Sequence, residues 1–193
     1  MMPPICVDFA GGGLDVPAHA VEGAFIVNCA LQPHGFPAGC DTGWQDVVIS
    51  ETGLCIWRSG PLPVLDFKSN PDWLNGLMAL WPSGDAGANV RNLPRNYHEI
   101  AKASYIASDA VRTANLTKLA EAINLTHNVQ LQEGMEPLPS TLRSIAYKYV
   151  GSGHGGYALY LFNDRAQRDD FCKHGGLPVE PFLAVKHGVV YVQ

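Results

Sequence analysis

The chain has 193 residues, which is enough to bury a hydrophobic core as one large domain or two small lobes. Apolar residues make up 47% of it, charged residues only 16%, and its net charge of −5 comes with no basic stripe, so we expect no nucleic-acid partner. No stretch approaches the roughly 18 consecutive apolar residues of a membrane span, and the N-terminus has no signal-like region. We therefore expect a cytoplasmic protein without a membrane partner.

The first third of the chain is rich in predicted strands. Ile5, Val7 and Phe9 alternate with other residues in the period of two that is typical of a half-buried strand. Similar patterns bounded by glycine and proline indicate further strands and one antiparallel hairpin. The predicted strands cover residues 5–9, 25–31, 44–49, 54–57 and 64–67. Two prolines, Pro61 and Pro63, favour a sheet edge for the last of these.

From about residue 70 the pattern changes to helices and further strands. The apolar run from Leu74 to Trp81 predicts a buried strand that ends at Pro82. Helical spacing predicts one helix after Pro94 and a second that is capped by Asn115. The same spacing predicts a third helix, which begins near Ser140 and carries Leu142, Ile145, Ala146 and Tyr149.

The end of the chain predicts a strand, a short helix and two final strands. The strand covers residues 157–162, and Asn163 and the pair Gly175–Gly176 mark the limits of the helix. The final strands cover 182–185 and 189–192. This order of elements predicts an α+β fold with a mainly antiparallel sheet. We divide it into an N-terminal strand-rich lobe over 1–70 and a C-terminal α+β lobe over 71–193.

Two glycine-rich segments are the candidate functional sites. Gly11, Gly12 and Gly13 follow the first strand, with Asp15 and His19 just beyond. The second segment is a loop that contains Gly151, Ser152, Gly153, His154, Gly155 and Gly156. Glycine permits positive φ and a close approach of the backbone, so such loops can direct several N–H groups at an anion. The alternative is that the second segment is only a tight helix-to-strand connection.

These segments resemble motifs of the GHMP small-molecule kinases. The residues from Asp8 to Gly13, with Asp15, resemble the first motif of that superfamily, most closely in the branch of heptose-phosphate and fucose kinases. The loop at 150–156 resembles its third motif, and residues 119–135 resemble the helix pair that precedes it. The resemblance implies a ferredoxin-like C-terminal lobe and ATP-dependent phosphorylation of a hydroxyl with Mg²⁺. It also implies a sugar or sugar phosphate bound by the first segment and phosphate bound by the loop.

The chain departs from that family in three places. Nothing resembles the second, ATP-binding motif, because the segment between Trp57 and Trp73 is short and broken by proline. Cys6 stands where related sugar kinases tend to carry a basic residue, and His154 replaces a glycine of the third motif. The central ATP-binding block therefore looks deleted, and the predicted fold is a truncated one.

Two functions stay open for such a chain. One is a shortened sugar kinase, and the other is a pseudokinase that binds a ligand or a protein without turnover. Asp15 is expected either to bind sugar hydroxyls or to cap its own turn, and His127 either to face the cleft or to pack within the helix pair. An exposed sheet edge, or the end at 182–192, predicts a homodimer.

Overall fold

The fold was analysed in a computed structural model that describes residues 5–33, 53–60, 62, 64–84, 94–140, 143–150 and 156–182. The strands in these ranges are β1 (Ile5–Ala10), β2 (Phe25–Pro33), β3 (Leu54–Arg58), β4 (Val64–Ser69), β5 (Met78–Gly84), β6 (Ser144–Tyr149), β7 (Gly156–Phe162) and β8 (Leu177–Pro181). The α-helices are α1 (Tyr97–Arg112), α2 (Leu116–Gln132) and α3 (Arg165–Cys172). Two short 3-10 helices cover Pro17–His19 and Pro71–Leu74. The predicted strands at 44–49 and 189–192 lie outside these ranges, as does most of 182–185.

All of these strands belong to one sheet, and every described pairing is antiparallel. Their order is β4-β3-β2-β8-β5-β7-β6, and β1 pairs with β2. Strand β8 pairs with β2 through Leu31 and Pro181 and with β5 through Ala79 and Pro178, so it joins the two halves of the chain. The division at residue 70 stays a prediction. In the described part of the chain, no helix is long and apolar enough to span a membrane.

The helices cover both faces of the sheet. Leu159 and Leu161 of β7 belong to the core beneath α1 and α2. The alternate residues Tyr160 and Phe162 belong to a second cluster, against which Phe171 of α3 packs. Successive side chains of a strand point to opposite faces, which explains why β7 is buried on both sides. The helix pair therefore lies on the face opposite to α3.

A side chain that precedes the helix caps the first turn of α2 and of α3. Asn115 accepts a hydrogen bond from the backbone N–H of Lys118 at 3.0 Å, as predicted for the start of α2. The cap of α3 is Asp164, which accepts from Gln167 N at 2.9 Å, and not the predicted Asn163. Asn163 and Asp164 are adjacent and both are good cap residues, so sequence preference alone does not separate them.

The predicted third helix is wrong, because residues 144–149 form strand β6. The apolar positions at 145, 146 and 149 fit one face of a helix. They also fit a strand at the edge of a sheet whose two faces are both covered by other residues. Ile145, Tyr147 and Tyr149 are residue types that favour strands, and β7 pairs with Tyr147 and Tyr149. The glycine loop consequently connects two strands, and the predicted helix-to-strand connection is also wrong.

Helix α2 covers the outer edge of β6. The side-chain amide of Gln130 donates to Tyr149 O at 3.1 Å and accepts from Tyr149 N at 3.0 Å. Asn124 donates to Ile145 O at 3.0 Å. These two amides take the place of a neighbouring strand for the backbone N–H and C=O of Tyr149 and the C=O of Ile145.

The predicted strand from Leu74 to Trp81 is displaced along the chain. Asn70 caps the 3-10 helix Pro71–Leu74, and Gly76, at φ 80°, reverses the chain before β5 begins. Strand β5 then continues through Pro82 to Gly84, beyond its expected end. Pro82 is tolerated there because β8 pairs only with residues 78–80 of β5, and the missing N–H of proline breaks no pairing on that side.

Strand β4 lies at the end of the described sheet, as the prolines predicted. Its residue Val64 is exposed, and so is Leu62 in the preceding turn. Exposed apolar residues beside a sheet edge are a surface where a second chain can pair. The homodimer stays a prediction.

Candidate functional site

The chain turns sharply at the glycines that follow β1. Gly11 and Gly13 have φ angles of 84° and 90°, a region that other residues rarely occupy. A Cβ atom on Gly11 would lie 2.1 Å from the carbonyl oxygen of Phe25, so β2 leaves no room for a side chain. The turn is closed by a hydrogen bond from Leu14 N to Gly11 O at 3.0 Å. Glycine is therefore required at position 11 by space and by conformation.

The start of α1 packs against this turn. The Nη1 atom of Arg95 lies 3.1 Å from the point where a Cβ atom of Gly13 would stand, and the Tyr97 ring lies 3.7 Å from it. His19, which is exposed, stacks on Tyr97 with the ring centroids 4.4 Å apart and the planes 12° from parallel. The structure thus brings Gly13 and His19 to one place, beside residues that the sequence reading did not single out.

Arg95 is held by a carboxylate at the end of α2. Its Nε donates to Glu133 Oε1 at 2.8 Å and its Nη2 to Glu133 Oε2 at 3.2 Å. Only 7% of the Glu133 side chain is exposed, compared with 28% of Arg95. A bidentate pair of this kind fixes the plane of the guanidinium as well as its position.

Lys148 of β6 reaches the other end of the turn. Its Nζ atom donates to the backbone carbonyl of Asp8 at 2.8 Å, and the residue is only 2% exposed. Burial lowers the pKa of Lys148 to about 8. The negative charge on Asp8 opposes this lowering, and the positive charge on Arg95 adds to it. Two cationic side chains therefore lie close enough to influence each other at this site.

The same contact connects the two glycine-rich segments. Lys148 stands three residues before Gly151, and β6 and β7 are joined up to the hydrogen bond from Val150 N to Tyr157 O at 2.9 Å. The residues predicted to bind phosphate, Gly151, Ser152, Gly153, His154 and Gly155, lie outside the described ranges. Gly156, which is described, is exposed and has a φ of 97°. The loop thus connects two paired strands, and the strand that precedes it contacts the end of β1 through Lys148.

The carboxylate of Asp15 has no partner within the described residues. Asp15 is half-buried, and no hydrogen bond or ion pair of its side chain occurs there. The short 3-10 helix that follows has Val16 at its N-cap position and no side-chain cap. The alternative that Asp15 caps this turn is therefore wrong.

His127 is a packing residue. It is buried between α2 and β6, with its ring centroid 5.0 Å from that of Tyr147 and 6.2 Å from that of Tyr149. Burial lowers its pKa, so the neutral ring is favoured. The expected packing partner was the helix pair, whereas both ring contacts are with strand β6.

A separate cavity of about 410 Å³ lies on the opposite face of the sheet, between α3 and the strands β5 and β7. Its walls include Trp81, Tyr160, Phe162 and Phe171. An exposed ion pair between Arg143 and Asp170, at 2.7 Å, lies at this cavity. None of the predicted site residues lines it.

No metal site is formed by the described residues. No three His, Cys, Asp or Glu side chains within those ranges lie close enough together to hold an ion.

Comparison with known proteins defines the class of fold. No family model matches the sequence, and no curated protein matches it. The antiparallel sheet, with a helix pair on one face and a short helix on the other, is a GHMP-kinase-like α+β fold, which confirms the predicted α+β class. That the fold is a truncated one stays a prediction.

Two crystal structures carry this assignment. D-glycero-D-manno-heptose 1-phosphate kinase from Bacteroides thetaiotaomicron matches with a TM-score of 0.60 and 11% identity, over 93% of this chain and 94% of that one. A mevalonate kinase matches with a TM-score of 0.57 and 8% identity, over 93% of this chain and 96% of that one. At such identities the likeness shows the fold alone.

Proposed function

We propose that the chain binds a sugar or sugar phosphate at the turn formed by Gly11, Gly12 and Gly13. The observation that carries this proposal is the half-buried carboxylate of Asp15, which has no partner within the described residues. A carboxylate can accept hydrogen bonds from two adjacent sugar hydroxyls, and such charge-assisted bonds are stronger than neutral ones. The stacked rings of His19 and Tyr97 beside it offer a flat surface to the apolar side of a sugar ring.

The fold supports a relation to enzymes that transfer a phosphoryl group from ATP. The heptose 1-phosphate kinase that shares it acts on a sugar phosphate, as its name states. Phosphoryl transfer requires a phosphate cradle, a divalent ion such as Mg²⁺, and a group that positions the acceptor hydroxyl. The loop at 151–156 is our candidate for the cradle, because Lys148 connects the strand that precedes it to the end of β1.

A pseudokinase is the second candidate, and one observation favours it. The segment from Trp57 to Trp73 was expected to lack the second, ATP-binding motif. Its described residues are the β3–β4 hairpin and the 3-10 helix Pro71–Leu74, with no glycine-rich loop that opens an α-helix. A chain without that motif would bind its ligand without turnover, which is the pseudokinase candidate.

Thermal unfolding with ligands tests the proposal. The chain is heated with Mg·ATP, with ADP, and with a panel of sugars and sugar phosphates, singly and in pairs. A ligand at about 100 times its Kd stabilises the fold by roughly 2.7 kcal/mol, which is several degrees for a chain of this size. We expect a shift with a sugar or sugar phosphate that Asp15→Ala removes and Asp164→Ala, a helix-cap variant far from the turn, leaves in place.

The nucleotide results separate the two candidates. Stabilisation by ATP or ADP, followed by phosphorylation of the bound sugar, identifies a kinase. Stabilisation by the sugar ligand alone identifies a binding protein. If no sugar or sugar phosphate shifts the transition, the proposed function is wrong.

A further inference from the structure

Two nitrogens of the Arg95 guanidinium are hydrogen-bonded to Glu133, and the third has no acceptor among the described residues. Nε and Nη2 are both bound to Glu133, and within the described residues no other group accepts a hydrogen bond from Arg95. The remaining nitrogen, Nη1, faces Gly13. Because a guanidinium presents its donors in a rigid fork, fixing two nitrogens on Glu133 also fixes the direction of the third.

Nη1 can approach the turn this closely because Gly13 has no side chain. A Cβ atom there would stand 3.1 Å from Nη1, which is closer than most real contacts of a Cβ atom. Asp15 follows two residues later, and two residues of backbone span at most about 7 Å. Nη1 and the Asp15 segment therefore lie within reach of a single small ligand.

Charge distinguishes the two ends of this space. Asp15 repels an anion and accepts hydrogen bonds, so it suits hydroxyl groups. The other end is Nη1 of Arg95, which lies at Gly13 and whose guanidinium is bound to Glu133. Lys148, with Asp8 beside it, adds a second positive charge from the start of the turn. A ligand with hydroxyls at one end and an anion at the other satisfies both ends at once. A neutral sugar satisfies only one.

We propose that Arg95 binds the phosphate group of a sugar phosphate whose hydroxyls are bound by Asp15, and that Glu133 is the positioning residue for Arg95. This inference rests on the proposed function and narrows it, because it excludes a neutral sugar as the preferred ligand. A guanidinium suits this role because it forms bonds to phosphate that are directional as well as ionic. Lys148, which is buried, supports the site through Asp8 and does not contact the ligand.

Binding calorimetry tests this inference on the whole chain. The probes are D-glucose, D-galactose and D-mannose, each free, as the 1-phosphate and as the 6-phosphate. We expect at least one phosphate ester to bind more than about tenfold more tightly than its free sugar, as a charge-assisted bond implies. Arg95→Gln should weaken that ester by about 10-fold to 100-fold and leave the Kd of the free sugar unchanged.

Three further variants sharpen the test. Arg95→Lys keeps the charge but loses the fork, so it should restore part of the preference for the ester. Glu133→Gln should reduce the preference less than Arg95→Gln does, since one oxygen still accepts from Arg95. Arg143→Gln is the matched control, because it breaks an exposed arginine–carboxylate pair on the opposite face of the sheet. It should bind every probe as the unmodified chain does.

The outcomes separate this inference from the proposed function. If a free sugar binds as tightly as its phosphate esters, the inference is overturned while sugar binding stands. The same holds if Arg95→Gln, or Arg95→Lys where the glutamine variant does not fold, weakens free sugar and ester equally. If none of these probes binds, both proposals fail together. Displacement of the ester by inorganic phosphate, without displacement of the free sugar, supports a separate phosphate subsite.

Discussion

Replacing Lys148 by methionine tests whether the ammonium group at the candidate site is buried in the folded chain. Lys148 is 2% exposed, and its ammonium group is bound to the carbonyl of Asp8 at 2.8 Å. Burial lowers its pKa from the ordinary value of 10.5 to about 8. Methionine is a flexible apolar side chain that can occupy much of the same space without a charge.

The lowered pKa of Lys148 determines the sign and the size of the change in the free energy of unfolding with pH. Below pH 8 the ammonium is protonated in both the folded and the unfolded chain, and the folded chain carries the full cost of its burial. Between pH 8 and 10.5 the unfolded chain holds a proton that the folded chain has released, so the free energy of unfolding rises with pH. A lowering from 10.5 to about 8 corresponds to roughly 3 kcal/mol in total.

Urea unfolding at pH 7, 8, 9 and 10 measures this effect. The free energy of unfolding of the unmodified chain, minus that of Lys148→Met, should rise by about 2 kcal/mol across this range. Other groups titrate in both proteins, so their contributions cancel in the difference. Lys68→Met, at an exposed position of β4, is the control for the loss of a lysine in general. A difference for Lys148→Met that stays constant from pH 7 to 10 would refute the reasoning, because the ammonium would then be solvated in the folded chain.

Four further substitutions test the packing and the backbone conformation of the fold. Gly11→Ala places a Cβ atom 2.1 Å from Phe25 O at a positive φ, so it should destabilise the chain by about 2–4 kcal/mol in urea unfolding. Gly12→Ala, whose Cβ meets only a side chain, should cost clearly less, and an equal cost would contradict the steric argument. Gln130→Leu leaves the N–H and C=O of residue 149 unpaired at the edge of β6, which should cost about 2–4 kcal/mol and speed exchange of that amide hydrogen. Unchanged exchange there would mean that water replaces the glutamine. Ala114→Gly relieves a left-handed residue, at φ 48°, between α1 and α2, and should raise the stability by about 1 kcal/mol. A lower melting temperature would show that the left-handed conformation is not strained.

The sequence predicted those elements whose signals are local. The alternation of Ile5, Val7 and Phe9 predicted β1, and the asparagine at 115 predicted the start of α2. Both signals depend on residues a few positions apart, and the structure confirms both. The α+β class followed from the order of such elements along the chain.

The sequence-based predictions were wrong where the conformation depends on contacts with residues far away in the sequence. Residues 144–149 satisfy the spacing of a helix, but β7 pairs with them on one side and Gln130 satisfies their outer edge. The period of apolar residues carries no information about either partner. The displaced start of β5 has a similar cause, because its register is set by pairing with β7 and β8.

The candidate site was predicted only in its glycines, Asp15 and His19. Arg95, Glu133 and Lys148 were missed because charged residues are usually exposed, and nothing in the sequence marks Arg95 or Glu133 as buried or half-buried. Arg95 and Glu133 are 38 residues apart, and Lys148 and Asp8 are 140 apart. The one available signal was the position of Lys148, three residues before the glycine loop, within an otherwise apolar segment.

The free-energy cost of burying the charge of Lys148 is itself an argument for the location of the site. A buried ion is often no more stabilising than an apolar side chain of similar size. The lowered pKa of Lys148 indicates that its buried charge destabilises the folded chain at neutral pH. Perturbed groups of this kind cluster at functional sites. Here the buried cation secures the end of β1 to the strand that leads into the glycine loop, and Arg95 is fixed at the other end of the same turn. The fold thus concentrates charge and backbone constraint on one short segment, residues 8–15, and that segment is where we expect the ligand.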